Sequence, residues 1–312
     1  MVSRRTFLRQ TSAGLAALAT ARSLAAESAP RPSQIVDTHT HFYDPSRPQG
    51  VPWPNPKDDV LYRPTLPTEF QKLTQPLGVT GTVVVEASPW VEDNQWLLDL
   101  AKDNPFLVGI VGNLKAGQPE FREQLARFAR NPLFRGIRIR GDELRDLPAN
   151  REYLSDMRRL ADANLTVDVL GGAPILPGVA KLAELVPTLN IVMDHLPFDM
   201  PTDADKAKPF DDALQAIGKQ PHVFAKISHV LKRPSDPTDL DTYRPQLDSL
   251  WKTFGPDRVF YGSNWPVSNR AATYENILTL MLQYTATLGT EAADKYFWKN
   301  SQTAYGWQPR NP

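Results

Sequence analysis

The chain has 312 residues, with 35 basic and 35 acidic side chains and a formal net charge of zero. That balance excludes a general polyanion binder, which needs a basic excess or stripe, and the 41% hydrophobic content excludes a disordered chain. There is no cysteine, so disulfides, thiolate nucleophiles and cysteine-ligated zinc or iron–sulfur sites are excluded as well. The 29 prolines are about twice average usage and point to many rigid loops between short elements.

The chain opens with Ser3-Arg4-Arg5-Thr6-Phe7-Leu8-Arg9 and an apolar, small-residue run at 13–21. Twin arginines ahead of a short apolar region are the pattern of a twin-arginine export signal, with small residues at 23–26 as a cleavage region. The run is too short to span a bilayer, so no stable membrane anchor is expected. The expected division is therefore a signal over 1–26 and one catalytic domain over 27–312, handed to the export machinery and working in the periplasm or outside the cell. Removing 1–26 takes away Arg4, Arg5, Arg9 and Arg22 and no acidic residue, leaving a net charge of −4.

Beyond that point, apolar β-branched runs recur at 35–41, 79–87, 106–114, 134–140, 165–170, 190–195, 223–230 and 259–267. They lack strict alternation, as strands buried on both faces do. Helical periodicity fills the spaces between them at 93–103, 118–130, 150–164, 175–186, 210–219, 240–254 and 272–288. Eight successive βα units predict an α/β fold: a (β/α)8 TIM barrel in a single domain. The glycine-rich phosphate turns of a doubly wound sheet are missing. The proline-rich stretches 44–67, 197–209 and 231–243 are expected as long loops at the C-terminal face, where barrel enzymes keep their chemistry.

Polar residues gather at the predicted strand ends: His39 and His41, Glu86, Asn113, Arg138 and Arg140, Asp168, His195, Lys226 with Ser228 and His229, and Asn264. The sharpest is Asp37-Thr38-His39-Thr40-His41, where alternation sets two imidazoles on one side of the strand, facing the lumen. Neutral imidazoles bind a divalent ion such as zinc or polarise a carbonyl. Arg138 and Arg140 share a strand face and suit a carboxylate. Lys226, Glu86 and Trp265 are further candidates for the substrate pocket. Asp194 should point away from His195, toward a helix. Trp53, Tyr62 and Trp90 are rim aromatics, and His222, ahead of strand seven, is expected to be structural.

These motifs in this order — His-x-His, GIRIR at 136–140, VMDHLPF at 192–198, FAKISHV at 224–230 and YGSNWPV at 261–267 — resemble the amidohydrolase-related family. Within it they are most similar to the branch of 2-pyrone-4,6-dicarboxylate lactonase and sugar-lactone hydrolases. The resemblance implies a hydrolase that opens a lactone or similar cyclic ester. It places His39, His41 and His195 in the pocket, with Arg138 and Lys226 at family positions. It also implies either no cofactor or one divalent metal at His39, His41 and His195, and no organic cofactor. The expected partner is an anionic small molecule, with no nucleic acid.

One residue departs from the family pattern. The last-strand motif carries an aspartate that takes a proton from the attacking water, and here that position is Asn264. A carboxamide has no titratable proton and cannot serve as a general base. His229, Glu86 and His195 remain as substitute bases. Two alternatives stand beside hydrolysis: a metal-dependent decarboxylase of an unsaturated or aromatic acid, against which the missing aspartate counts, and a non-enzymatic binding protein, which it favours.

Overall fold

The eight apolar runs become eight parallel strands: β1 (Ile35–Thr40), β2 (Val79–Val85), β3 (Leu107–Gly112), β4 (Phe134–Arg140), β5 (Thr166–Leu170), β6 (Ile191–Leu196), β7 (Val223–Ile227) and β8 (Val259–Tyr261). In the computed structural model they pair in chain order. A parallel Thr40–Trp265 bridge, with His41 N donating to Trp265 O at 2.9 Å, brings the last strand back to the first. The structure describes residues 30–310 apart from 146, 148 and 200–202. The expected export signal at 1–26 lies outside the described residues.

A helix absent from the sequence reading, α1 (Pro67–Thr74), precedes β2, and the seven predicted helices follow in order: α2 (Glu92–Lys102), α3 (Phe121–Phe128), α4 (Arg151–Asp162), α5 (Leu176–Leu185), α6 (Ala204–Gly218), α7 (Leu240–Phe254) and α8 (Tyr274–Ala286). Side-chain caps start several of them. Asn150 accepts from Tyr153 N, Asp239 from Thr242 N and Thr273 from Asn276 N, satisfying donors that a helix's first turn leaves open. Two further elements differ from the sequence reading. α6 begins at Ala204, six residues before the expected start, and runs through Pro209. Asp203 caps its first turn by accepting from Asp205 N. The C-terminal segment, read from sequence as no element, forms α9 (Thr290–Asp294), a π-helical turn (Lys295–Lys299) and α10 (Asn300–Tyr305).

Two apolar clusters result. The larger lies between sheet and helices. The smaller fills the barrel: Val36, Val83, Val108, Val192, Phe224 and Phe260 meet Tyr305 and Trp307 from the C-terminal segment. That segment plugs the barrel, so the lumen under the mouth is packed. No helix among the described residues is long and apolar enough to cross a membrane.

Candidate active site

Three imidazoles converge at the barrel mouth. The His39 ring lies 5.0 Å from that of His41, edge to face, and 4.3 Å from that of His195. His229 stands edge-on to His195 at 5.5 Å. His39 and His41 are buried on β1, where Asp37 anchors the strand. Asp37 Oδ1 accepts from the His39 N–H at 3.0 Å and from the Ser263 N–H at 2.9 Å, tying β1 to the segment after β8. That segment packs closely: a Cβ on Gly262 would lie 2.7 Å from His39 Cβ. Only glycine fits there without a shift.

Asp194 corrects the sequence reading. It was expected to face a helix; instead it is fully buried inside the barrel, 2.9 Å from Lys226 Nζ and 3.4 Å from His39 Nδ1. Alternation does operate along β6, but it carries Val192 and Asp194 inward together. His195 joins them because its backbone turns left-handed, φ 64°. Asn264 is placed by the same device at φ 62°. Such conformations are costly for non-glycine residues and concentrate at functional sites.

Beneath the histidines lies a buried ion cluster. Lys226 Nζ is 2.6 Å from Asp168 Oδ2 and 2.9 Å from Asp194 Oδ1, and all three side chains are 0% exposed. Tyr305, arriving from the plugged end, donates to the same Asp168 oxygen at 2.8 Å. Burial raises the Asp168 carboxyl to about 6 against the Lys226 charge. Burial would raise Asp194 too, but the Lys226 ammonium and then His39 outweigh it and hold this carboxyl well below its ordinary value. Burial pulls Lys226 down, yet the two carboxylates outweigh it and the lysine stays cationic.

Burial also lowers the histidines: His41 and His195 to about 3, and His39 well below its ordinary value. All three are neutral imidazoles near pH 7. One hydrogen bond assigns a proton. His41 Nδ1 is 2.9 Å from Val85 O, which only accepts, so Nδ1 carries the proton and Nε2 is bare. His39 Nδ1 has two neighbours at 3.4 Å, Lys226 Nζ and Asp194 Oδ1. The ammonium would donate to Nδ1 and the carboxylate would accept from it, so this pair of contacts serves either tautomer. His39 Nε2 has no partner among the described residues. His195 Nδ1 meets Ser228 Oγ at 3.0 Å, a hydroxyl that serves either tautomer.

The remaining candidates divide. Arg138 reaches Glu86 through Nε at 2.9 Å and donates to the Glu86 carbonyl at 2.7 Å, and its charge also depresses His41 and His195. Arg140 is three-quarters exposed at the rim, 3.5 Å from Asp142. Asn264 is buried beside His41. Trp265, expected in the pocket, is instead core. It is 1% exposed and packs on Phe70 at 4.9 Å and Phe42 at 6.0 Å, because the turn at Asn264 sends the next side chain outward against α1. Trp53, by contrast, stands edge-on to His41 at 5.9 Å. Tyr62 and Trp90 are surface residues. His222 Nε2 meets Ala183 O, the structural role expected of it.

A model of the family described as amidohydrolase matches residues 36–307. The chain belongs to the amidohydrolase family. Among this amidohydrolase's relatives is an L-fucono-1,5-lactonase of Burkholderia ambifaria, 31% identical over 245 residues, spanning 77% of this chain and 82% of that protein. An amidohydrolase of Burkholderia multivorans, crystallised with bound zinc, superposes with a TM-score of 0.79 at 24% identity, over 88% of this chain and all of that one. A Pseudomonas putida protein assigned as a 2-pyrone-4,6-dicarboxylic acid hydrolase gives a TM-score of 0.70 at 20% identity, over 88% of this chain and 97% of that one.

The zinc in that relative raises the question of an ion at His39, His41 and His195. Among the described residues no three His, Asp or Glu side chains stand together as a ligand set. Asn264 adds no negative charge, and the Lys226 ammonium is 3.4 Å from His39 Nδ1. The donor set does not fit a closed metal centre.

Proposed function

We propose that this amidohydrolase opens a sugar-type lactone bearing a carboxylate. The observation that carries the reading is the buried His39 Nε2, without a partner among the described residues, in a site of neutral imidazoles two of which, His41 and His195, feel the Arg138 charge. The lactone carbonyl accepts from His39 Nε2, and the carboxylate pairs with Arg138. Water adds to the carbonyl carbon, and its proton passes to the bare His41 Nε2. The ring C–O bond then breaks, and its oxygen takes a proton to give the open hydroxy acid. A preorganised donor at the developing oxyanion contributes about 10²–10³ in rate. Water activation is the weak step, because an imidazole lowered to about 3 is a poor base at neutral pH. Asn264 orients the water and takes no proton. The lactonase relative, 31% identical, supports this class of substrate.

Restoring the carboxylate tests the reading. Asn264→Asp should raise lactone hydrolysis by about 10²–10⁴. No gain on any six-carbon aldonolactone that the protein binds would overturn it. The twin arginines support export to the periplasm, checked by fractionating cells that carry Arg4→Lys/Arg5→Lys, in which the protein should stay in the cytoplasm.

A further inference from the structure

A groove of 650 Å³ opens from the site between the loops after β2, β3 and β4. Glu86 and Arg138 line it, and Arg138 also stands close enough to His41 and His195 for its charge to lower both. A space of this size lies within the about 300–1,000 Å³ that holds drug-sized ligands and exceeds what a single lactone ring fills.

Its lining is rich in donors. Lys115 and Gln118 are exposed along it, and Lys115 has no ionic partner among the described residues. Arg140 is held only by Asp142, across 3.5 Å between two largely exposed side chains, an arrangement worth little. Asn113 Nδ2 is buried with no acceptor. The one further carboxylate on the lining, Glu143, is already engaged. Its Oε1 accepts from the Arg140 N–H at 2.8 Å, and its Oε2 meets the Tyr153 hydroxyl at 3.5 Å. Three cations, Lys115, Arg138 and Arg140, stand against two carboxylates, Glu86 and Glu143, along this lining.

We infer that this groove is a second subsite, and that the substrate is a lactone extended by an oxygen-rich, negatively charged unit of the uronic-acid type. The inference rests on the lactonase reading and narrows its substrate class. The lactone ring sits at the histidines, and the appended sugar lies along β3 and β4. Its hydroxyls accept from Asn113 and Gln118, and its carboxylate pairs with Arg140 and Lys115. An Arg–carboxylate contact with a second cation gives both strength and direction.

The test compares two substrates, a six-carbon aldono-1,5-lactone and the same lactone carrying a glycosidically linked uronic acid. The extended lactone should show a kcat/KM about tenfold higher, the difference lying in KM, and Lys115→Gln/Arg140→Gln should bring that ratio down to about one. A wild-type ratio at or below one, or a ratio the double variant leaves unchanged, overturns the subsite. Hydrolysis of neither lactone overturns the lactonase reading instead. The subsite is then judged by calorimetry with the two open-chain acids. The extended acid should bind about tenfold more tightly, with the gain lost in the double variant, and equal binding overturns the subsite.

Discussion

The two sides of the barrel mouth handle charge in opposite ways. On the β5–β7 side Asp168 and Asp194 are fully buried, each within 2.9 Å of the equally buried Lys226 Nζ. On the β4 side Arg140 and Asp142 are 75% and 60% exposed and 3.5 Å apart. The buried cluster cannot let one member go, because each ion left behind has no water to replace its partner. The exposed pair exchanges its partner for solvent, or for a ligand, at little cost. One side holds the histidines in place, and the other is free to bind.

The comparison is sharpest in single deletions. Lys226→Met should cost about 3–5 kcal/mol of stability, measured by chemical denaturation, since it strands two buried carboxyls. A loss under about 1 kcal/mol would mean the cluster is not the anchor described here. Neutralising Asp168 and Asp194 in the same chain should recover most of that loss, because the whole buried set is then gone.

The pH dependence comes next. His41 and His195 have folded values near 3 against an ordinary 6.5, so the unfolded chain takes up protons first. Their contribution is complete above pH 6.5 and is lost as the pH falls toward 3. Asp37 runs the other way. Burial raises it to about 6, so its contribution is present below 3.8 and is lost as the pH rises through 6. His195→Gln should therefore flatten the fall of stability between pH 6.5 and 3 in denaturation series. An unchanged slope would show that this imidazole is not held neutral.

Tyr305→Phe removes the hydroxyl that reaches Asp168 from the plugged end. It should cost about 1–3 kcal/mol while the circular dichroism of the barrel stays the same. At the bottom of the scale, Arg140→Gln should change stability by less than about 0.5 kcal/mol. A larger loss would place Arg140 with the structural ions and weaken the contrast.

Much of this was legible in the chain. Eight unalternating apolar runs with helical periodicity between them fix the barrel, because parallel strands must be covered on both faces. His39 and His41 fall at a strand end, where barrels place chemistry. Asp194 was misplaced because alternation was counted from His195, whose left-handed backbone breaks the count, and no local sequence signal reports that turn. Trp265 was misplaced because an aromatic at a strand end reads the same whether it lines the mouth or packs beneath it, and only the contacts with Phe70 and Phe42 decide. Tyr305 was missed because the segment that carries it was not read as helix, although apolar residues recur there at Ala293, Tyr296 and Phe297, at helical spacing.

Element order, the barrel and the residue types at the mouth follow from periodicity and composition along the chain. Which polar groups meet depends on how the barrel closes. Lys226 finds Asp168 58 residues away, and Tyr305 finds it from 137. A buried charge takes its partner from whatever the closed barrel brings within 3 Å, and that depends on strand register and two left-handed turns.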